Sequence, residues 1–154
     1  YVNSMEGLGD ERFVGINVKG YNGDLRVEHV NICENHITLC SGHGVGYTAE
    51  YVTVSNNNFY NIERHGIYHY GWLCATISND TFKDVGKGDS RYSIVVGGNA
   101  AEVSKGVIVN GNTIVNLRGI AVNSNVVGVL VSDNVGQVTN NASTNCTVVN
   151  NITI

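Results

Sequence analysis

Proline is absent from the 154 residues, and tryptophan and methionine occur once each. Charged residues make up 14% of the chain, the formal net charge is −4, and lysine and arginine form no cluster. Nucleic-acid binding commonly needs a basic stripe or patch, so the sequence argues against a nucleic-acid partner. No run of 18 apolar residues occurs, which argues against a helix that spans a membrane.

Metal-ligand motifs are also missing. The four cysteines, Cys33, Cys40, Cys74 and Cys146, include no CxxC pair, and that pair is the usual sequence signal of a cysteine metal site. Acidic residues do not recur as a cluster at the repeat spacing described below, so no calcium site is indicated. We therefore expect neither a bound metal nor a cofactor.

Three residue types dominate instead: 24 valines, 22 asparagines and 19 glycines. Valine favours pleated, half-buried strands. Asparagine and glycine tolerate the left-handed backbone conformations that tight corners require. A chain rich in all three predicts short strands separated by frequent corners.

An internal repeat with a period of about 22 residues organises these strands, and a period this short does not fit a repeat of two helices. Its anchor is a polar residue that returns at Asn35, Asn57, Asp80, Asn112, Asn134 and Asn151, with one long step before Asn112 and one short step before Asn151. Three residues before each anchor the side chain is always apolar, at Ile32, Val54, Ile77, Val109, Val131 and Val148. These columns predict a solenoid.

A third strand in each repeat has an inward and an outward column. Because side chains alternate along a strand, we expect Leu25, Val45, Ile67, Ile94 and Ile120 to point inward. Arg26, Gly46, Tyr68, Val95 and Ala121 are then expected to point outward. His69 follows Tyr68 and is expected to point inward as a core or corner histidine.

These motifs resemble the right-handed parallel β-helix of the pectate-lyase-like superfamily. The resemblance rests on the asparagine column and on the sequence Gly-Ile followed by Asn-Asn-x-Ile, and it covers about Val27 to Ile154. It implies an all-β solenoid of about six coils in which the anchor side chains form a hydrogen-bonded ladder. We expect one β-helical domain over residues 25–154 of a longer chain, with residues 1–24 as a lead-in segment or a preceding coil.

The resemblance implies a polysaccharide as partner. Proteins of this superfamily include lyases, glycoside hydrolases and the trimeric tailspike depolymerases of phages, so it also implies an extracellular or virion-surface location. A homotrimer, or continuation of the β-helix in the parent chain, is expected to cover the open end. The alternative is a non-catalytic carbohydrate-binding, receptor-binding or structural segment of a tail fibre or adhesin.

One patch contains the residue types that a lyase needs. His43 and His65 are one repeat apart and therefore stacked, and Tyr68 lies beside them in the outward column. β-Elimination from a uronic acid requires a cation on the carboxylate, a base at C5 and an acid at the leaving oxygen. Arg91 or Arg118, His65 and Tyr68 are candidates for these three roles. Further candidate contacts to the sugar are Arg26, His43, Tyr70, Trp72 and Arg118.

A hydrolase would instead need two carboxylates about 5–10 Å apart. Glu63, Asp84 and Asp89 lie on neighbouring turns and are the candidates. Asp84 also falls in register with Asn61 and Asn116, which favours a structural role at a corner. Glu63 is adjacent to Arg64, and a solvated surface charge is the alternative for it.

Overall fold

The computed structural model of the chain describes residues 15–19, 27–70, 73–87, 91–97, 103–115, 118–141 and 144–153. Leu25, Arg26, Trp72, Asp89 and Asn116 of the sequence predictions lie outside these residues. Within the described residues no helix is long and apolar enough to cross a membrane.

The described chain forms sixteen short strands in three parallel sheets. In chain order they are β1 (Ile16–Lys19), β2 (Asn31–Cys33), β3 (His36–Cys40), β4 (Val45–Thr48), β5 (Val52–Ser55), β6 (Asn58–Ile62), β7 (Ile67–His69), β8 (Leu73–Ser78), β9 (Thr81–Val85), β10 (Ile94–Val96), β11 (Ser104–Asn110), β12 (Thr113–Val115), β13 (Ile120–Val122), β14 (Val126–Ser132), β15 (Val138–Asn140) and β16 (Thr144–Val149). Sheet 1 has the order β1-β4-β7-β10-β13-β15, sheet 2 the order β2-β5-β8-β11-β14-β16, and sheet 3 the order β3-β6-β9-β12.

Successive strands therefore visit the three sheets in turn, and the chain winds through about six coils. Neighbouring strands of the described chain run parallel to each other, as do β4 and β7 or β5 and β8. The fold is a parallel β-helix. The prediction of an all-β solenoid with a short repeat is confirmed.

The predicted ladder is present at the corner between sheets 2 and 3. The backbone N–H groups of Asn35, Asn57, Asp80, Asn112 and Asn134 each donate to a side-chain oxygen of the next ladder residue, at 2.7–3.0 Å. Stacked coils place equivalent residues one inter-strand spacing apart, which is why one side chain per coil can link the whole corner. The structural role predicted for this column is confirmed.

The interior is filled by the inward-facing columns of the three sheets. Phe59 and Phe82 stack on each other with ring centroids 4.7 Å apart and planes 5° from parallel. Two polar side chains also point inward from sheet 1: His69 is fully buried, and Tyr47 packs edge-on against it at 5.1 Å. The inward orientation predicted for His69 is confirmed, but a core histidine with satisfied hydrogen bonds is not found, since neither ring nitrogen has a hydrogen-bond partner among the described residues.

Corners are made by columns of residues in the left-handed conformation, with φ between 42° and 69°. One column precedes the ladder residues and contains Glu34, Asn56, Asn79, Gly111, Asp133 and Asn150. A second lies near the start of the sheet 2 strands, at His29, Tyr51, Cys74, Gly106, Gly128 and Asn145, and a third within sheet 3, at Leu39, Asn61 and Asp84. Most members are Gly, Asn or Asp, the residues that adopt this conformation at least cost.

Leu39 is an exception in the third column and provides a test. It has φ of 57° and is 54% exposed, so its side chain contributes little burial to offset the backbone strain. Leu39→Asn should raise the free energy of unfolding by roughly 0.5–1 kcal/mol, because asparagine tolerates this conformation. Urea unfolding midpoints would measure the gain. Leu39→Ala is the matched control: alanine lacks the short polar side chain that lets asparagine hydrogen-bond locally in this conformation, so it should gain almost nothing. An equal gain from both would argue against backbone strain.

One predicted alignment is wrong. β1 pairs with β4 so that Ile16 lies beside Val45 and Asn17 beside Gly46, the places predicted for Leu25 and Arg26. The cause is a longer connection in the first coil, where Ile16 lies farther before Asn35 than Val45 lies before the next anchor. Asn17, not Arg26, occupies the outward column next to Gly46.

Candidate functional site

A column of large side chains runs along the corner that precedes sheet 1. His43, His65, Tyr92 and Arg118 stand at equivalent positions, each two residues before the first residue of β4, β7, β10 and β13. The rings of His43 and His65 are 5.2 Å apart and 5° from parallel, and those of His65 and Tyr92 are 6.5 Å apart. The Arg118 guanidinium continues the stack, 5.9 Å from the centre of the Tyr92 ring.

Tyr68 joins this column from the outer face of β7. Its ring is 4.7 Å from His43 and 5.1 Å from His65, and within 7° of parallel to both. The Tyr68 hydroxyl donates a hydrogen bond to the hydroxyl of Tyr70. We call the set His43, His65, Tyr68 and Tyr92 the aromatic column.

Small residues in the chain make this packing possible. The residues after the two histidines are Gly44 and Gly66, and the rings of Phe59 and Phe82 lie directly beneath them. A Cβ atom built on Gly66 would lie 2.7 Å from two Phe82 ring carbons and 2.7 Å from the Ser93 carbonyl oxygen. The glycines therefore let the corner backbone sit on the aromatic core, and this position sets the spacing of the histidines.

His65 meets the Tyr92 backbone through Nδ1. The backbone nitrogen of Tyr92 lies 2.9 Å from Nδ1 and the backbone carbonyl oxygen 3.2 Å from it, so the tautomer decides which hydrogen bond forms: unprotonated Nδ1 accepts from the N–H, and Nδ1–H donates to the carbonyl. The pKa of His65 is lowered to about 4, first by burial and then by His43 and Arg91 beside it, against a raising contribution from the Tyr92 backbone. Near neutral pH His65 is therefore neutral, and the role of proton acceptor predicted for it requires the tautomer that carries the proton on Nδ1 and leaves Nε2 unprotonated.

Arg91 supplies positive charge to the aromatic column. Burial lowers the pKa of His43 to about 4, and the charge of Arg91 contributes to this shift. Burial and the Tyr70 hydrogen bond raise the pKa of Tyr68, which Arg91 opposes. Arg91 thus acts on His43, His65 and Tyr68 together. In the described part of the chain, neither Arg91 nor Arg118 has a carboxylate oxygen within 4.0 Å.

The structure therefore brings together most of the residues predicted for a site. His43, His65, Tyr68, Tyr70, Arg91 and Arg118 share one edge of sheet 1. Arg26 and Trp72 lie outside the described residues. Tyr92 was not among the predicted site residues, although counting back two residues from Ile94 places it in the column of His43 and His65.

The candidate carboxylates are arranged differently. Glu63 and Asp84 are both exposed, and Asp89 lies outside the described residues. Asp84 has φ of 55° and stands next to Asn61 in the third left-handed column. This position matches the structural corner role that its register with Asn61 favoured, rather than a catalytic role. Among the described residues, no contact joins Glu63 or Asp84 to the aromatic column.

The site is thus an aromatic surface of neutral side chains flanked by two arginines. No group of three or more metal-ligating side chains occurs in the described part of the chain. Comparison of the chain with protein-family models, curated proteins and solved structures found no match.

Proposed function

We propose that the chain is a polysaccharide-binding segment of a parallel β-helix, and that an acidic polysaccharide lies across Tyr68 on sheet 1. The observation that carries this proposal is the aromatic column with Arg91 and Arg118 beside it. Aromatic rings offer apolar faces and polar tips to a ligand, and guanidinium groups recognise carboxylates in a bidentate geometry. The resemblance to the pectate-lyase-like superfamily, whose members mostly act on or bind polysaccharides, supports it.

The position of the arginines favours a ligand that lies along the helix axis. Tyr68 is the largest side chain of the outward column, whose other members are Asn17, Gly46, Val95, Ala121 and Thr139. Gly46, Val95 and Ala121 are buried, whereas Tyr68 is partly exposed, so a ligand would contact Tyr68 rather than these three neighbours. Successive coils are about 4.8 Å apart, so arginines in adjacent coils are spaced to meet successive units of a charged chain.

Binding is better supported than hydrolysis. A glycoside hydrolase needs two carboxylates on opposite sides of the scissile bond, whereas Glu63 and Asp84 are exposed and make no contact with the aromatic column. The groups that do surround Tyr68 are donors, cations and ring faces. These groups hold an anionic sugar without providing an acid and base pair.

Removal of the Tyr68 ring should weaken binding of uronate oligosaccharides by about tenfold or more, since a buried aromatic contact and its hydroxyl are lost together. Arg91→Ala should weaken uronate binding similarly and leave a carboxyl-reduced, neutral oligosaccharide unaffected. Isothermal titration calorimetry with a panel of uronate oligomers would measure both effects.

The matched control for Tyr68→Ala is Tyr60→Ala. Tyr60 is 43% exposed on sheet 3, where Lys83 lies 5.9 Å from its ring centre, so an exposed tyrosine with a cation nearby is removed from another face. Affinity should not change. Equal losses at Tyr60 and Tyr68, or no binding of any uronate by the folded chain, would contradict the proposal.

A polysaccharide lyase is the second candidate, and one observation favours it. The Tyr68 hydroxyl, bonded to Tyr70, lies beside His65 and within the field of Arg91, so a proton donor and a carboxylate-neutralising cation are close together. In the tautomer whose Nδ1–H donates to Tyr92 O, Nε2 of His65 would accept the C5 proton. The C4=C5 double bond would form as the C4–O bond breaks, with Tyr68 protonating the leaving oxygen. An ultraviolet signal from an unsaturated uronate product would establish this activity. New reducing ends without that signal would indicate a hydrolase instead.

The location and assembly follow the same resemblance. We propose an extracellular or virion-surface location and a homotrimer. Analytical ultracentrifugation distinguishes a trimer from a monomer.

A further inference from the structure

The ladder amides make the same set of hydrogen bonds in each coil. In Asn57, Nδ2 donates to Ile32 O in the previous coil, to Ser55 O in its own coil, and to Oδ1 of Asp80 in the next. Asn134 repeats this pattern with Val109 O, Ser132 O and Asn151 Oδ1. The amide nitrogen at this position is therefore a donor that faces three oxygen acceptors.

Asp80 is the one ladder residue without an amide. Its Oδ1 performs the acceptor role, taking hydrogen bonds from Asn57 N at 2.7 Å and Asn57 Nδ2 at 2.9 Å. Its Oδ2 is buried and has no hydrogen-bond partner in the described part of the chain. By the equivalence of the coils, Oδ2 takes the place of the amide nitrogen and faces Val54 O, Ser78 O and Asn112 Oδ1.

An ionised carboxylate does not fit this position, because the buried Oδ2 would face only hydrogen-bond acceptors. We propose that Asp80 is a neutral carboxylic acid in the native β-helix, and that its O–H donates the ladder hydrogen bond that Nδ2 donates in the other coils. Loss of this proton then breaks the ladder between the third and fourth coils. Asp80 thus makes the stability of the fold sensitive to pH.

The surroundings of Asp80 agree with this assignment. The side chain is fully buried, and burial raises its pKa to about 7 against the lowering effect of the two Asn57 hydrogen bonds. Inward side chains of the adjoining strands β5, β6, β8, β9, β11 and β12 are apolar. The other buried titratable groups of the described chain are Cys40 of β3, Tyr47 of β4, whose pKa Asp80 helps to raise, Glu50 before β5, His65 before β7 and His69 of β7.

The sign of the pH dependence follows from the two states of Asp80. Between the ordinary aspartate pKa of 3.8 and the folded pKa of about 7, the native state holds a proton that the unfolded state has released. The contribution of Asp80 is therefore full below about pH 4 and is lost as pH rises through about 7. His43 and His65, whose pKa values are lowered from 6.5 to about 4, and His69, lowered to about 3, contribute the opposite slope below 6.5. A comparison of variants at each pH separates the two effects.

The test is chemical unfolding of the wild type and Asp80→Asn from pH 4 to pH 9. Asparagine provides a hydrogen-bond donor at every pH. The ratio of the wild-type unfolding equilibrium constant to that of the variant should therefore rise by up to about a thousandfold between pH 4 and pH 8. Asp133→Asn is the matched control: Asp133 is exposed and lies beside the same corner, and its replacement should leave the slope unchanged.

A second measurement does not depend on stability. Isotope-edited infrared difference spectra of wild type and Asp80→Asn near pH 6 should contain the carbonyl band of a protonated carboxylic acid, which disappears as pH rises above 7. A carboxylate band at pH 6, or equal pH slopes for the wild type and Asp80→Asn, would overturn the proposal.

Discussion

Asn112→Leu should lower the free energy of unfolding by roughly 2–5 kcal/mol, although leucine has the same number and branching of side-chain heavy atoms. Asn112 is 1% exposed, its side-chain oxygen accepts from the backbone N–H of Asp80 at 3.0 Å, and its Nδ2 donates to Ile77 O at 3.1 Å and to Asn134 Oδ1 at 2.9 Å. Leucine provides neither a donor nor an acceptor, so the Asp80 N–H is left buried without a partner.

Urea unfolding followed by circular dichroism would measure this loss. Asn58→Leu is the control, since Asn58 is an exposed asparagine of strand β6 next to the ladder residue Asn57. Exposed substitutions of this kind change stability by about 0.5 kcal/mol or less. If Asn112→Leu unfolded at the wild-type midpoint, the ladder would not be a source of stability.

The ladder was predictable from sequence because a β-helix puts one residue type at one corner in every coil. Parallel stacking converts a short sequence repeat into a vertical column, so Asn57 and Asn112 could be assigned from the sequence alone. The same reasoning failed at Ile16, because connections between strands vary in length and the ladder anchor fixes only the strands next to it. Counting from Asn35 across a longer connection selected Leu25 in place of Ile16.

The candidate site was predictable only in part. The stacking of His43 on His65 follows from their spacing of one repeat, and Tyr68 follows from the alternation of β7. Tyr92 lies after an insertion, where the spacing from the ladder anchor no longer assigns a residue to a column, and only the count back from Ile94 places it beside His65. The environment of His65 Nδ1 depends on the Tyr92 backbone, 27 residues away, and no side-chain pattern encodes this contact. Likewise, the repeat of ladder residues placed Asp80 correctly in the sequence, but the protonation of Asp80 depends on which atoms surround its Oδ2.

The glycines under the aromatic column connect the core to the site, and Gly66→Ala should affect both. The added methyl would lie 2.7 Å from the Phe82 ring and from the Ser93 carbonyl oxygen. Phe82 is fully buried and stacked on Phe59, so it has little room to move. We expect a loss of about 2–3 kcal/mol in the free energy of unfolding, the usual range for an overpacked core. Displacement of His65 should also weaken uronate binding by the folded variant.

A matched glycine distinguishes this effect from a general intolerance of larger residues. A Cβ on Gly97 would meet Asn123 Nδ2 at 2.8 Å, with its next neighbour at 3.7 Å. This amide is the end of a flexible side chain, so Gly97→Ala should be nearly neutral. Phe82→Leu added to Gly66→Ala should recover part of the loss, because the smaller side chain makes room for the methyl, and a double-mutant cycle would measure the coupling. Strict additivity of the two substitutions would show that Gly66 does not set the corner through its contact with Phe82.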